Sequence, residues 1–299
     1  MTIAIGFLTG DGAVICADSQ EMIGSYGKST AQKIRTTDFF NNWRLVIAGA
    51  SDQAHYIDLF QDEVVRQLIG TQTFDYGRVV SIIKATLHKI HKQHIWLRRS
   101  GQPQLQLLIG IQGIDPPSRG LLWTEEAVVL PVQEYRSIGI GTYAADAIWD
   151  RLFPTRGLIY NSRVEIAANF GIYMLRQIKK AVQGCDGFTL VAILKDGKLR
   201  WVPPDEVVLV ERASEVYDNS FSVLSALLDP TVDTSEVESR GAGFSRRLGM
   251  IKSQLQREAV FRKHMEETMQ MQQKAAAQSA QEAASAPKRS ASRKTKGRQ

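Results

Sequence analysis

The residues best suited to chemistry stand at the amino terminus, where Thr2 follows Met1. An amino-terminal threonine can attack a carbonyl carbon with its Oγ while its own α-amine accepts the proton. The pKa of an unperturbed α-amine is about 8, so a modest lowering makes it a base at neutral pH. The reaction class that such a threonine would support is amide-bond hydrolysis. It requires removal of Met1, which is normally excised ahead of a residue as small as threonine.

Two charged residues and one glycine complete a candidate site around Thr2. Lys33 is the candidate for lowering the pKa of the amine, because a nearby ammonium disfavours a second positive charge. Asp18 would hold that lysine charged and in place. Gly49 is a candidate oxyanion donor, since we expect it to follow a strand and precede a helix N-terminus, where free backbone N–H groups point outward.

A predicted β-hairpin at the start of the chain positions these residues. Two short apolar runs flank a turn centred on Gly10-Asp11, which is typical of a hairpin. That centre places Ile3 opposite Asp18. It also places Thr2 opposite Ser19, so the hairpin brings the first residues of the chain beside a carboxylate.

The following pattern predicts strands and helices in blocks. Residues 43–48 indicate a strand stopped by Gly49, and Ser51 could cap a helix that ends at Gly70. A second helix is predicted from about 75 to 97. Because helices come in pairs and many strands are apolar on both faces, a doubly wound topology fits poorly. We expect an α+β fold with two stacked, mostly antiparallel sheets and helices outside.

The second half of the chain changes composition towards its end. Ser162-x-x-Glu165 has the form of a capping box that opens a further helix. We expect a folded domain over residues 1–228, a polar linker over 229–245, an extended helix over 246–283 and a disordered basic tail over 284–299. The extended helix has only a weak apolar stripe, which is typical of a helix that is solvated or docks on a partner.

Composition excludes several classes of protein. With 43% hydrophobic and 23% charged residues, the chain is ordinary for a soluble globular protein, and it has neither a membrane-spanning run nor a secretory signal. Two cysteines make no disulfide framework, and Cys16 reads as a small buried hydrophobe rather than a catalytic thiol. We therefore expect a reducing, cytoplasmic setting.

The net charge of +6 is concentrated in the tail. Since six basic residues there account for the whole net charge, the body is near neutral and is not an obvious binder of polyanions. We expect nucleic acid at most as a partner of the tail, which has no aromatic residue on which bases could stack. The six residues are Lys288, Arg289, Arg293, Lys294, Lys296 and Arg298.

Two further patterns have weaker functional interpretations. His88, His91 and His94 could hold a metal, but two lysines interleave with them, so a solvated helix face is favoured. Gly139-Ile140-Gly141 precedes a helix but lacks the third glycine of a dinucleotide-binding fingerprint. We expect neither a metal nor a cofactor.

The run from Thr2 through Gly49 resembles the proteasome β-subunit family of N-terminal nucleophile (Ntn) hydrolases, which includes the bacterial HslV and Anbu branches. The interval from Thr2 to Asp18 equals that of the family, and the interval from Asp18 to Lys33 fits the Anbu branch. A weaker match continues further, so the resemblance covers roughly residues 1–210. The matching pieces are Thr2, Asp11-Gly12, Ala17-Asp18-Ser19, Gly24, Ser29-Thr30, Lys33, Ala48-Gly49-Ala50-Ser51-Asp52, Ile138-Gly139-x-Gly141, Tyr143, Ile148-x-Asp150-Arg151 and Asp196-Gly197.

This resemblance implies a four-layer αββα sandwich with an active-site cleft at the start of the first strand. It implies that Thr2 is nucleophile and base, that Asp18 and Lys33 tune it, and that Gly49 donates to the oxyanion. It further implies a homo-oligomeric ring, a peptide or unfolded-protein substrate, and an ATPase or regulatory partner. The implied activity is that of a threonine peptidase.

The resemblance extends to two pocket residues, but the positions of the family's helper residues depart from its pattern. Ile47 and Ser51 would flank the pocket for the substrate side chain, and an aliphatic Ile47 would favour apolar side chains. Ile140 stands where proteasomal subunits have a helper serine, Gly184 falls where a second serine is expected, and Asp186 is out of register with the helper aspartate. Two hypotheses stay open: an active peptidase, and a scaffold subunit that has kept the fold and lost the reaction.

Overall fold

The computed structural model describes residues 3–23, 27–30, 33–39, 43–51, 53–69, 75–97, 104–113, 118–155, 157–218, 223, 227 and 233–285. The predicted nucleophile Thr2 and residues 286–299 of the predicted tail lie outside the described residues. The chain forms two compact units, Met1–Glu215 and Val216–Gln299. The predicted domain end at residue 228 stays a prediction.

The first unit contains twelve described strands and five helices, the last of which runs past its end. The strands are β1 (Ile3–Leu8), β2 (Gly12–Asp18), β3 (Gln20–Ile23), β4 (Gly27–Thr30), β5 (Ile34–Phe39), β6 (Trp43–Ser51), β7 (Leu105–Gly113), β8 (Ser118–Glu125), β9 (Val128–Pro131), β10 (Tyr135–Gly139), β11 (Thr189–Lys195) and β12 (Lys198–Trp201). The helices are α1 (His55–Ile69), α2 (Tyr76–Ile90), α3 (Thr142–Leu152), α4 (Val164–Ala181) and α5 (Pro204–Asp218), with a π-helical turn over His91–Ile95 after α2.

The strands form two five-stranded antiparallel sheets and one small ribbon. The first sheet has the order β10-β1-β2-β11-β12 and the second has the order β5-β6-β7-β8-β9, while β3 pairs with β4. Most strands in each sheet pair with neighbours along the chain, but β1 also pairs with β10 and β2 with β11. These two long-range pairings bring late parts of the chain beside the amino-terminal hairpin.

Side chains that alternate along the strands build three apolar layers. In the first sheet, Ile5 packs with α3 and α4, whereas its neighbour Ala4 packs against the second sheet. In the second sheet, Ile47 packs with α1 and α2, whereas its neighbour Val46 faces the first sheet. The order of layers is therefore helices, sheet, sheet, helices, which confirms the predicted αββα sandwich.

The register of the amino-terminal hairpin confirms the prediction from the sequence. Ala4 lies opposite Ala17 and Ile5 opposite Cys16. The N–H of Thr9 donates to the carbonyl of Gly12 at 2.9 Å, so Gly10-Asp11 form the turn. This register carries on to place Ile3 opposite Asp18.

The turn of this hairpin also begins helix α4. The Asp11 carboxylate accepts hydrogen bonds from the N–H of Val164 at 2.9 Å and from the Thr9 hydroxyl at 2.8 Å. The predicted capping box is wrong, because the Ser162 hydroxyl donates to the carbonyl of Leu158 instead of capping the helix. A side chain distant in sequence thus satisfies a free N–H at the start of α4.

The second unit contains helix α6 (Thr234–Ser285). This helix begins before residue 246, so the predicted linker is helical from Thr234 onward. Among its described apolar residues, Leu248, Met250, Val260, Phe261 and Met271 are exposed, whereas Phe244 and Ile251 are partly buried. Among the described residues, no helix is long and apolar enough to cross a membrane.

Candidate active site

A buried ion pair lies at the end of the amino-terminal hairpin. Asp18 is the last residue of β2 and is 0% exposed, and Lys33, which precedes β5, is 8% exposed. The Lys33 Nζ lies 2.8 Å from Asp18 Oδ1. The structure therefore brings together two of the residues that the sequence singles out for chemistry. Burial of such a pair carries a desolvation penalty, which the contact between the two groups and further hydrogen bonds to the carboxylate offset.

The same carboxylate oxygen also holds the backbone at the start of β1. The N–H of Ile3 donates to Asp18 Oδ1 at 3.1 Å. Because Ile3 follows Thr2 directly, this bond fixes the backbone one residue away from the predicted nucleophile. The roles predicted for Thr2 itself stay predictions, since that residue lies outside the described part of the chain.

The late segment in which the family has helper residues contacts Asp18 through its backbone. The N–H of Asp186 donates to Asp18 Oδ2 at 3.3 Å, across a separation of 168 residues. The N–H of Phe188 donates to the Ser19 hydroxyl at 2.7 Å. Gly187 between them has φ +80°, and a Cβ there would lie 2.6 Å from the Ser19 Oγ. The signal in the sequence was the Asp-Gly pair before a strand, which predicts a turn but not its partner.

Lys179 of α4 anchors this segment from the other side. Its Nζ donates to the carbonyl of Gly187 at 2.8 Å and to the Thr189 hydroxyl at 2.6 Å. Burial lowers the pKa of Lys179, and the nearby carboxylates of Glu211 and Asp18 oppose that shift. Sequence reasoning did not single out this lysine, because a lysine in the last turn of a helix is an ordinary surface feature.

The sequence predicted that the strand stops at Gly49, but β6 continues to Ser51. Position 49 nevertheless requires glycine, since a Cβ there would lie 2.5 Å from the Ile57 Cδ1 of α1. The glycine therefore lets α1 pack closely on β6. This packing role stands beside the predicted role of oxyanion donor.

The direction of the Gly49 N–H follows from the ladders on either side. Gly49 lies opposite Leu107 of β7, and the N–H of Leu107 donates away from β6, to the Thr124 hydroxyl at 2.9 Å. Gly49 and Leu107 therefore form a non-hydrogen-bonded antiparallel pair, in which the two N–H groups point away from each other. The ladder with β5 begins at the pair of Ile34 and Ala48, one step before Gly49. The Gly49 N–H is thus directed past the end of that ladder, on the side of Lys33.

The two predicted pocket residues occupy different environments. Ile47 is buried among the side chains that join β6 to α1 and α2. Ser51 is partly buried at the end of β6, and its hydroxyl accepts the N–H of Gln53 at 3.1 Å. Ser51 does not cap α1, because that helix begins at His55. Their substrate-binding roles stay predictions.

The positions of the expected helper residues are apolar in this structure. Ile140 follows β10 directly and is exposed, and its Cδ1 lies 3.2 Å from the place where a Cβ on Gly184 would stand. Gly184 has φ +93°, which favours glycine over serine. The site is therefore built on Asp18 and Lys33 without a hydroxyl at either of these two positions.

Neither cysteine has the environment of a reactive thiol. Cys16 is fully buried, which confirms the prediction, and burial raises the pKa of its thiol well above the ordinary value. Burial also raises the pKa of the Cys185 thiol to about 11. Thiolates are the reactive form, so both residues act as packing groups at neutral pH.

The prediction of a solvated histidine face is wrong for His91. His88 and His94 are exposed, but His91 is only 3% exposed and lies in the π-helical turn after α2. Among the residues described, no group of histidine, cysteine and acidic side chains could hold a metal ion.

No protein-family model and no curated protein matches this sequence. Solved structures do match it. The Gly-1 mutant of Anbu from Hyphomicrobium sp. strain MC1 superposes with a TM-score of 0.63 and 12% identity, over 77% of this chain and 98% of that chain. Anbu from Yersinia bercovieri, described as an ancestral beta-subunit, gives 0.61 and 15%, over 76% and 98%.

The same fold occurs in a structure described as a helical assembly of the Anbu complex from Pseudomonas aeruginosa. Its TM-score is 0.60 at 13% identity, over 78% of this chain and 99% of that chain. At such low identity the likeness concerns the fold. The chain therefore has the fold of the Anbu structures, the branch that the spacing of its amino-terminal residues resembles.

Proposed function

We propose that this chain is a proteasome-like threonine peptidase, which hydrolyses peptide bonds with Thr2 after removal of Met1. The observation that supports it most is the buried Asp18 carboxylate, which accepts hydrogen bonds from both Lys33 Nζ and the N–H of Ile3. A buried charge pair is costly to maintain and contributes little to stability compared with apolar packing. Its place beside the residue that follows Thr2 favours a chemical role.

In the proposed reaction, the Thr2 Oγ attacks the carbonyl carbon of the scissile bond while the Thr2 α-amine accepts the hydroxyl proton. The Lys33 ammonium lowers the pKa of that amine, and Asp18 keeps the ammonium in position. The Gly49 N–H stabilises the negative oxygen of the tetrahedral intermediate. The protonated amine then gives its proton to the leaving amine, and an ester between Thr2 and the acyl part remains. Water hydrolyses this ester and restores Thr2.

An N-terminal-threonine-directed covalent probe tests this proposal. The full chain is first characterised by intact mass, and we expect the mass without Met1. After incubation with a β-lactone, we expect one adduct, and peptide mapping should place it on Thr2. Thr2→Ala should abolish the adduct, and Asp18→Asn should slow its formation by at least about tenfold, the effect of 1.4 kcal/mol. A chain that retains Met1 in cells, or one that is folded and processed but never labelled, would overturn the proposal.

A scaffold subunit without catalytic activity is the second candidate. The observation that favours it is the pair of Ile140 and Gly184, which leaves two helper positions without hydroxyl groups. On this alternative, Thr2→Ala leaves the biological role unchanged and the probe labels nothing.

We further propose that the protein works as a cytoplasmic homo-oligomer that takes peptides or unfolded proteins, with an ATPase or other regulatory partner. The support is the likeness to Anbu structures, one of which is described as a helical assembly. Light scattering coupled to size-exclusion chromatography measures the mass directly. A monomer at micromolar concentration would contradict this part of the proposal.

A further inference from the structure

The first unit contains a cavity of about 420 Å³ whose lining includes neither Asp18 nor Lys33. Its volume falls in the range of sites for small molecules, roughly 300–1,000 Å³. Its wall combines a cation, two acids, two tryptophans and two amides. The residues that line it are His91, Ile95, Trp96, Gln104, Leu105, Gln106, Trp123, Glu125, Glu126 and Arg136.

The cation in this wall is held by stacking rather than by a carboxylate. The guanidinium of Arg136 lies over the Trp123 ring, with its Cζ 3.4 Å from the ring centroid. Within the described part of the chain, Arg136 has no ion pair, and its Nε is buried without a hydrogen-bond partner. Stacking of this kind fixes the plane of the guanidinium and leaves its N–H groups available to a planar anion such as a carboxylate.

Two acids stand at another part of the same wall. Glu125 ends β8 and Glu126 lies in the turn before β9, and both are exposed. Glu126 has φ +51°, an uncommon conformation for a residue other than glycine. Neither acid forms an ion pair with any residue that the structure describes. Opposite charges therefore line one cavity without neutralising each other.

The floor of the cavity contains a buried neutral imidazole. His91 lies in the π-helical turn, an irregularity that is frequent at functional sites. Neither of its ring nitrogens has a hydrogen-bond partner among the described residues. Burial lowers the pKa of His91, so the ring is uncharged at neutral pH. The fixed charges of the cavity are then one positive and two negative.

We propose that this cavity binds a short zwitterionic peptide. The Arg136 guanidinium receives its carboxylate, Glu125 and Glu126 receive its ammonium, and the exposed ring of Trp96 covers its apolar part. A simple anion is disfavoured by the two acids, and a simple cation by the unpaired arginine. A ligand that carries both charges can form a charge-assisted hydrogen bond with the arginine and with the acids of the wall.

This site contains neither Asp18 nor Lys33, but it adjoins the predicted pocket, because Leu105 lies opposite Ser51 and Gln106 opposite Ala50 in the β6–β7 ladder. Gln106 lines the cavity, and its Oε1 accepts the N–H of Gly139 at 2.9 Å. Gly139 in turn lies opposite Ile3 on β1. Peptide binding in the cavity does not depend on catalysis by Thr2, so the two proposals can fail independently.

Isothermal titration calorimetry of the full chain carrying Thr2→Ala tests the proposal without hydrolysis. The probes are trialanine, N-acetyl-trialanine and trialanine amide, which differ only in which end is charged. We expect trialanine to bind at least tenfold more tightly than either blocked form. Arg136→Gln should weaken trialanine tenfold or more and abolish its preference over the amide. The double variant Glu125→Gln/Glu126→Gln should abolish the preference over the N-acetyl form.

The control variant is Arg78→Gln, which removes an exposed arginine on α2 outside the cavity wall and should leave all three affinities unchanged. Circular dichroism establishes that each variant is folded. Failure of the folded chain to bind trialanine overturns the proposal, as does binding that is unaffected by Arg136→Gln. Equal affinity for the N-acetyl form would indicate an anion site, and equal affinity for the amide a cation site; either result also overturns it.

Discussion

At the scale of single residues, Asp18 links the end of β2 to three other parts of the first unit. Its carboxylate accepts from Ile3 on β1, from Lys33 before β5 and from the backbone of Asp186 before β11. Hydrogen bonds to an ionised carboxylate are about twice as strong as those between neutral groups. Asp18 is thus a candidate for positioning Lys33 in the reaction, and it also connects several elements of the fold. We expect a substitution there to affect stability and activity together.

Lys33→Met should destabilise the first unit by about 3–5 kcal/mol, because it removes the ammonium that lies 2.8 Å from the buried Asp18 carboxylate. The double variant Asp18→Asn/Lys33→Met should cost less than the sum of the two single changes, since it removes both charges. Urea denaturation followed by circular dichroism measures these free energies of unfolding.

The matched control for this pair is Arg66→Met. Arg66 pairs with Glu63 at 2.7 Å, but its side chain is 70% exposed. A surface pair of this kind contributes less than about 1 kcal/mol. Equal costs for Lys33→Met and Arg66→Met would show that the Asp18–Lys33 pair is not buried in solution.

At the scale of elements, the amino-terminal hairpin is held at its turn as well as at its open end. Asp11 joins the turn to the first residue of α4 and to Lys195 at the end of β11, where Lys195 Nζ lies 2.8 Å from Asp11 Oδ2. Lys195 also lies 3.0 Å from Glu165. The hairpin is therefore fixed against α4 at one end, while Asp18 fixes it at the other.

This arrangement predicts a dependence of stability on pH. Burial raises the pKa of Asp11, but hydrogen bonds from Lys195 and Thr9 outweigh it, so the pKa is below its ordinary value of 3.8. The stabilisation is present above that value and is lost as pH falls through the lowered pKa, because the unfolded chain binds a proton first. Asp11→Asn should cost about 1 kcal/mol near pH 7, and the difference from wild type should shrink between about pH 5 and about pH 3.

Thermal denaturation of both proteins over this pH range measures the difference. Asp62→Asn, a change of an exposed acid on α1, is the control and should leave stability unchanged at every pH. A constant difference between wild type and Asp11→Asn would show that the Asp11 carboxylate does not titrate with folding.

At the scale of the whole molecule, the apolar cores belong to the first compact unit. Among the residues that the structure describes, none after Val210 belongs to the three core clusters, and α5 ends at Asp218. The second unit consists largely of α6, and none of the described apolar side chains of this helix is buried. A helix that buries little apolar surface gains most of its stability from a partner or from solvation of its polar face.

A chain that ends at Asp218 should therefore fold on its own. We expect one cooperative thermal transition with a Tm within about 4 °C of that of the full chain, equivalent to roughly 1 kcal/mol. A chain that ends at Trp201 is the control, because it lacks the core residues Val207 and Val210 of α5. We expect its Tm to fall clearly below that of the longer fragment. Loss of the transition in the longer fragment would contradict this prediction.

Several features could be predicted from sequence because they depend on close neighbours. The Gly10-Asp11 turn and the apolar runs beside it specify the register of β1 and β2, which places Ile3 opposite Asp18. The pairing of helices and the strands apolar on both faces specify the layered class. Helix ends were predicted less well. Serine is a common helix-capping residue, but Ser51 and Ser162 form other hydrogen bonds in this structure and cap neither α1 nor α4.

By itself, then, the sequence determined the amino-terminal hairpin, the αββα class and the candidates Asp18 and Lys33. Only the tertiary structure decided that Asp186 reaches Asp18, that Asp11 begins α4, and that Arg136 and Glu126 line one cavity. Those contacts join residues on separate elements, so they depend on how sheets and helices pack. The apolar periodicity of a helix or strand indicates which of its residues share one face, but it does not indicate which distant element packs against that face.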